Sequence, residues 1–161
     1  MMLIGIISDT HDDMPAIGKA VDYFNSEGVS HVIHAGDLVS PFTFELFGEL
    51  RCAFSAVFGN NDGDRLLLKQ KSGGNIHHQP LILTFDEKKI VVVHEPDLVD
   101  PLLDSGHFNV IVFGHTHMPG IRNRRDVLAI NPGKVARLHK GDSTLALLDT
   151  ATIQAKIVHI V

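Results

Sequence analysis

Short apolar runs alternate with polar turns along this chain, and five of the runs stop at a residue that can bind a metal. Leu3–Ile7 leads into Asp9 and His11, residues 31–35 into Asp37, and residues 54–58 into Asn60. Residues 90–93 lead into His94, and residues 110–113 into Gly114, His115 and His117. Apolar runs of four to eight residues read as strands buried on both faces. Between the first two runs the spacing becomes helical. Ile17, Ala20, Val21 and Phe24 share one face, Pro15 suits the first turn and Gly28 the end. The pattern predicts further helices over residues 42–50, 64–71 and 97–103, with Gly73-Gly74-Asn75 breaking the chain after residue 71.

The last third changes character. Residues 127–130, 144–148 and 153–161 are strand-like with no long helix between them. In the final run Ile153, Ala155, Ile157, His159 and Val161 alternate onto one face. The expected fold is therefore α/β, with α+β character and mostly antiparallel strands in its C-terminal third. Two packed sheets with helices outside satisfy that order of elements. There is no internal repeat, low-complexity stretch or linker, and 161 residues suit one domain spanning 1–161.

Composition narrows the setting. The chain is 44% hydrophobic and 20% charged, and no apolar run has the length of a membrane span. Its start goes directly into strand pattern, without a signal peptide's basic flank and cleavage site. Cys52 is the single cysteine, so no internal disulfide forms, and a cytoplasmic location is expected. As a residue Cys52 reads as a small buried hydrophobe. A formal charge of −5 argues against broad nucleic-acid binding. The one dense basic stretch contains Arg122, Arg124 and Arg125. It fits a solvated hairpin tip, or alternatively a rim that steers phosphate.

The strand exits carry the chemistry. Asp9-Thr10-His11 puts a carboxylate and an imidazole two apart, and in extended backbone both would point the same way. Gly36-Asp37 offers a sharp turn beside an exposed carboxylate. Gly59-Asn60-Asn61-Asp62 alone would read as a polar turn. Gly114-His115-Thr116-His117 weighs more, since two histidines beyond a buried strand seldom serve packing. In α/β sheets ligands sit at the carboxyl ends of strands, where all these motifs fall. Hard oxygen plus imidazole, without thiolate, suits a pair of divalent transition ions in hydrolytic chemistry. The other histidines, His31, His34, His77, His78, His107, His139 and His159, read as structural or exposed.

Taken in order, D-x-H, G-D, G-N-x-D, H and G-H-x-H resemble the calcineurin-like metallophosphoesterases, particularly the small single-domain archaeal and bacterial phosphodiesterases. The resemblance extends from Asp9 to Asn131-Pro132-Gly133. It implies a four-layer sandwich of two sheets flanked by helices, and a binuclear centre. One ion would take Asp9, His11 and His117, the other Asn60, His94 and His115, and Asp37 would bridge them. A hydroxide shared by the two ions would attack phosphorus in line. Mn²⁺ or Ni²⁺ is expected, and Co²⁺, Fe²⁺ and Zn²⁺ accept the same ligands.

Two positions depart from the family pattern. Many members carry histidine where this chain has Asn61, which donates a hydrogen bond but delivers no proton at neutral pH. Asn61 is therefore expected to contact phosphate, and Asp62 to support the ligands from behind. Glu95 stands where many relatives place glycine. The Asn131-Pro132-Gly133 turn reads as scaffolding near the site. The expected substrate is a small phosphodiester, a nucleotide among the candidates, with no membrane partner and a homodimer as the family's implied assembly. The rival functions are a phosphomonoesterase on the same site and a non-catalytic protein-binding scaffold of the same fold, as in a retromer subunit that resembles this family.

Overall fold

In the computed structural model, residues 2–137 and 142–160 are described. The first half supplies strands β1 (Leu3–Ile7), β2 (His31–His34), β3 (Ala53–Val57), β4 (Ile76–His77), β5 (Leu81–Phe85) and β6 (Lys88–Val92). The second half supplies β7 (Val110–Val112), β8 (Gly120–Arg124), β9 (Val127–Asn131), β10 (Ser143–Asp149) and β11 (Gln154–Ile160). Four α-helices accompany them among the described residues: α1 (Met14–Glu27), α2 (Phe44–Phe47), α3 (Arg65–Lys71) and α4 (Val99–Ser105). One sheet has the order β11-β10-β1-β2-β3-β4 and the other β5-β6-β7-β9-β8. β1 to β4 pair in parallel, as do β6, β7 and β9. Their carboxyl ends therefore gather at one end of the sandwich.

Period-two alternation builds the layers. Ile4, Ile6, Ile33 and Val57 face Ile90, Val92, Val110, Val112 and Ile130 across the two sheets. The opposite face of the first sheet packs Ile7 and Val32 against Ile17, Val21 and Phe24 of α1 and Leu68 of α3. Val91 and Ile111 cover the outer face of the second sheet together with Val99 and Leu103 of α4. The result is four layers, helix–sheet–sheet–helix. Each large aliphatic chain buried in these slabs contributes roughly 1.5–3 kcal/mol, so the strand ends that carry polar loops rest on a rigid base.

Local signals account for the helices. Asp13 caps α1 by accepting from the Ala16 N–H, and Gly28 ends it in the left-handed region. Asp64 caps α3 through the Leu67 N–H. The helix expected over 42–50 is shorter. A 3-10 turn at Pro41–Thr43 precedes α2, and Gly48 follows Phe47. The helix expected over 97–103 likewise splits into a 3-10 turn at Pro96–Leu98 and α4.

Two other expectations need correction. Arg122 and Arg124 are not at a hairpin tip; they lie on edge strand β8, and only Arg125 turns, with φ 54°. Their guanidinium groups pair with Asp100, and Arg124 also with Asp104, on α4. Ile153, Ala155 and Ile157 pack into the inter-sheet core as the alternation predicts, whereas His159 is exposed and pairs with Asp142. His139 and Val161 lie outside the described residues. No helix among the described residues is long and apolar enough to cross a membrane.

Candidate metal centre

All seven expected ligands converge at the carboxyl ends of β1, β2, β3, β6 and β7. Their backbones are unusual: Asp9 (φ 54°), His11 (40°), Asp37 (62°), His115 (67°) and His117 (59°) are all left-handed. Asp9 and His11 are thus not extended, as their spacing suggested. A tight loop, with the Asp9, Thr10 and His11 N–H groups bonded to the Gly36 and Asp37 carbonyls, turns both side chains inward. Strained left-handed residues of this kind concentrate at functional sites.

Two glycines make room for the carboxylates. Gly36 has φ 101°, and a Cβ there would come within 2.6 Å of His94 Nδ1. At Gly59 a Cβ would lie 2.2 Å from Asp37 Oδ1. The loops after β2 and β3 can therefore touch only without side chains at these points.

On one side, Asp9 Oδ1 lies 3.3 Å from His117 Nε2 and 3.8 Å from His11 Nε2. Its other oxygen accepts from Ser8 Oγ at 2.6 Å and from the His115 N–H at 3.1 Å. On the other side, Asn60 Oδ1 lies 2.9 Å from both His94 Nε2 and His115 Nδ1. Asp37 Oδ2 stands between, 3.6 Å from His11 Nε2 and 3.4 Å from His94 Nε2. Metal–ligand bonds of about 2.1 Å put neighbouring ligand atoms of an octahedron roughly 3.0 Å apart, and these separations are of that order.

The donors themselves call for cations. His94 gives its Nδ1–H to the Ala35 carbonyl at 2.7 Å, which aims Nε2 at the Asn60 and Asp37 oxygens, where a metal ion would replace its proton. Asp9 Oδ1 and His11 Nε2 are buried without a hydrogen-bond partner. Burial would raise the Asp9 carboxyl, but His11, Ser8 and the neighbouring imidazoles hold it below its ordinary value. Burial opposes ionisation of Asp37 too, yet His94 and the Asn61 amide hold it far below the carboxylate range. His94 is pushed up to about 9: burial works against its proton, and Asp37, the Ala35 carbonyl and Asp9 outweigh burial. His11 is raised, foremost by Asp9. The site is an array of ionised carboxylates that attracts positive charge, and the residues present fit divalent ions.

Asn61 and Asp62 have defined places. The Asn61 N–H donates to Asp37 Oδ1 and its Nδ2 to Oδ2, each at 2.8 Å. Asp62 is buried and accepts from the Asp37, Val39 and Gly59 N–H groups, joining the loops behind Asp37 and Asn60. Burial raises its carboxyl despite these donors. Asn131 Nδ2 donates to the Gly114 carbonyl and Thr116 Oγ1, bracing the loop of His115 and His117.

Sequence reasoning missed two supports, Ser8 and Gln79, and read His34 correctly as structural. Ser8 was readable as a polar residue ending an apolar run. Gln79, whose Oε1 accepts from the His94 N–H and whose amide donates to the Glu95 carboxylate, gave no signal. His34 is structural: its Nδ1 accepts from the Gly36 N–H, Nε2 meets Thr10 Oγ1, and burial lowers it to about 3.

A sandwich with this ligand set at its strand exits defines a class. A family model of the calcineurin-like phosphoesterase superfamily domain matches residues 2–153, and the chain belongs to that superfamily. It is a metal-dependent phosphoesterase by family, and divalent metal ions are part of the family's chemistry. Among its relatives, Phosphodiesterase MJ0936 of Methanocaldococcus jannaschii is 39% identical over 155 residues, 92% of this chain and 93% of that protein. Phosphodiesterase YfcE of Escherichia coli is 26% identical over 157 residues, 84% of this chain and 80% of its own. The solved structure of a novel archaeal phosphodiesterase superposes with a TM-score of 0.92 at 36% identity, covering 99% of this chain and 100% of the other. Vps29 of Entamoeba histolytica, solved with Zn²⁺, superposes with a TM-score of 0.72 at 16% identity, covering 98% and 99%, a likeness of fold alone.

Proposed function

We propose that this protein is a phosphodiesterase whose site holds two divalent ions, Mn²⁺ or Ni²⁺ being the best suited, with residues 1–161 acting as one domain. Asp9, His11 and His117 would hold one ion, Asn60, His94 and His115 the other, and Asp37 would serve both. The observation that carries this reading is the pair of buried, unpartnered atoms Asp9 Oδ1 and His11 Nε2, beside a carboxylate lying between two imidazole groups. Bound divalent ions supply a water acidic enough to attack phosphorus at neutral pH and positive charge for the phosphoryl oxygens.

The chain's own residues do the rest. Ser8 and the His115 N–H hold one oxygen of Asp9, so the other stays aimed into the site. Asn61 grips both oxygens of Asp37, and the second hydrogen of its side-chain amide would serve a phosphoryl oxygen. Hydrolysis of a diester breaks one ester P–O bond, forms one from water, and leaves an alcohol and a monoester. The departing oxygen needs a proton or a low basicity, and position 61 offers no acid. Diesters with good leaving groups are therefore the favoured substrates.

The test is a panel on protein stripped with chelator and reloaded with each metal. Stripped protein is expected to be inactive on bis(p-nitrophenyl) phosphate, and Mn²⁺ or Ni²⁺ to restore turnover above that on alkyl monoesters. Full activity with metal absent by elemental analysis, or faster turnover of alkyl monoesters, would overturn the reading.

A further inference from the structure

On the helical side of the first sheet, between the segments that follow Asp37 and Asn60 in the chain, lies a groove of about 460 Å³ lined by Pro41, Phe42, Phe44, Glu45, Leu67 and Lys71. We propose that this groove seats the base of a nucleotide-containing phosphodiester while its phosphate lies at the metals; the proposal rests on the phosphodiesterase reading above.

The groove is joined to the site through both of its walls. Pro41 follows Asp37 by four residues, and Ser40 donates from its N–H and hydroxyl to the Asp12 carboxylate, next to His11. The other wall, α3, begins four residues after Asn61. The two walls are fastened by the Val39 N–H to Asp62 and the Gly63 N–H to the Val39 carbonyl. The Pro41 end of the groove is thus bonded to the loops of His11 and Asp62, and a substrate reaching out from the ligands would enter the groove at that end.

The lining chooses the ligand. Phe42 is 48% exposed and Leu67 37%, so an aromatic face and an aliphatic wall stand open to solvent. Groups of that kind stack on a planar ring, and such stacking tolerates any base. A lipid or simple aryl group would need only the apolar part. Here α3 carries Arg65, Lys69 and Lys71 and no acid of its own. In a chain of formal charge −5, this basic helix at the site is complementary to a nucleotide's anionic phosphate. Arg65 is already oriented, its Nη2 donating to the Gly59 carbonyl at 2.9 Å and its guanidinium 5.3 Å from the Phe58 ring centroid. Glu45 and Lys71 on facing walls give base edges one acceptor and one donor.

The experiment compares two p-nitrophenyl diesters with the same leaving group, the thymidine 5′-phosphate ester and the ethyl phosphate ester, on Mn²⁺-loaded enzyme. The wild type is expected to prefer the nucleotide ester in kcat/KM, and Phe42→Ala to lower that preference about tenfold, through KM. Leu98→Ala, an exposed apolar residue on the other sheet's side, is expected to leave the preference as it is. Equal kcat/KM for the two esters in the wild type, or the same preference in Phe42→Ala, would overturn the proposal. A readout without turnover separates this failure from failure of the phosphodiesterase reading. Amide NMR of the Mg²⁺-loaded protein titrated with thymidine 5′-phosphate should shift signals of residues 42–45 and 65–71. Shifts confined to residues near the ligands would refute the groove even in an active enzyme. A dimer that dissociates in Phe42→Ala would assign the groove to a second copy of the chain and equally overturn it.

Discussion

Gly59→Ala isolates one link between sequence and site. Gly59 does not adopt the left-handed backbone, so alanine is conformationally acceptable there, and only space decides the outcome. A methyl group would sit 2.2 Å from Asp37 Oδ1, 2.5 Å from its amide nitrogen and 2.9 Å from its Cγ. Non-bonded carbon and oxygen need about 3.3 Å, so the loop carrying Asp37 must move by about 1 Å. Overpacking of this kind costs about 1–3 kcal/mol, or roughly 2–12 °C in Tm for a chain of this size. A 1 Å misplacement at a reacting centre costs about 10²-fold in rate. The expected result is therefore a folded protein with modestly lower Tm, weakened metal binding by calorimetry, and kcat/KM on bis(p-nitrophenyl) phosphate about 10²-fold lower. Gly120→Ala is the control, since nothing lies within 4 Å of its Cβ position. Activity of Gly59→Ala within threefold of wild type, at full metal occupancy, would refute the steric argument.

Asp37→Asn should weaken both ions together and His117→Ala mainly one, because Asp37 lies between His11 and His94 whereas His117 stands with Asp9 and His11 on one side; metal stoichiometry by elemental analysis checks this, and two ions with unchanged turnover in Asp37→Asn would contradict it. Asn61→His should raise monoester turnover relative to diester turnover by up to about 10²-fold, by supplying a proton donor; kinetics on both substrate classes decide it, and an unchanged ratio would sink it. Burial works against ionisation of Asp13, but Arg137 and the Ala16 N–H outweigh it and lower its carboxyl. A lowered carboxyl stabilises the fold above its ordinary value of 3.8, and that stability is lost as pH falls through the folded value. Arg137→Met should thus lower Tm at pH 7, with the gap to wild type closing below about pH 4; a gap that persists in acid would contradict the ion pair's role.

The strand exits are legible in sequence because parallel strands buried on both faces must be apolar throughout, so the first ligand-type residue after each run stands out. Edge strands lack that signature. All of β8 is exposed, and its Gly-Ile-Arg-Asn-Arg sequence has no buried face to advertise. β5 alternates, with Leu81, Leu83 and Phe85 turned to the core, a signal that was present but masked by apolar Ile82. The site's order along the chain was readable, but its geometry was not. The left-handed turns at Asp9, His11, Asp37 and His115 depend on hydrogen bonds between loops distant in sequence. So does the brace from Gln79 to His94, which belongs to the crossing from one sheet to the other.

In the proposed centre two ions share Asp37, and crystals grown with Mn²⁺ and measured for anomalous scattering at the manganese edge would show it. Two peaks about 3.5–4 Å apart are expected, one against Asp9, His11 and His117, the other against Asn60, His94 and His115, with Asp37 reaching both. One peak only, or two peaks without Asp37 between them, would contradict it.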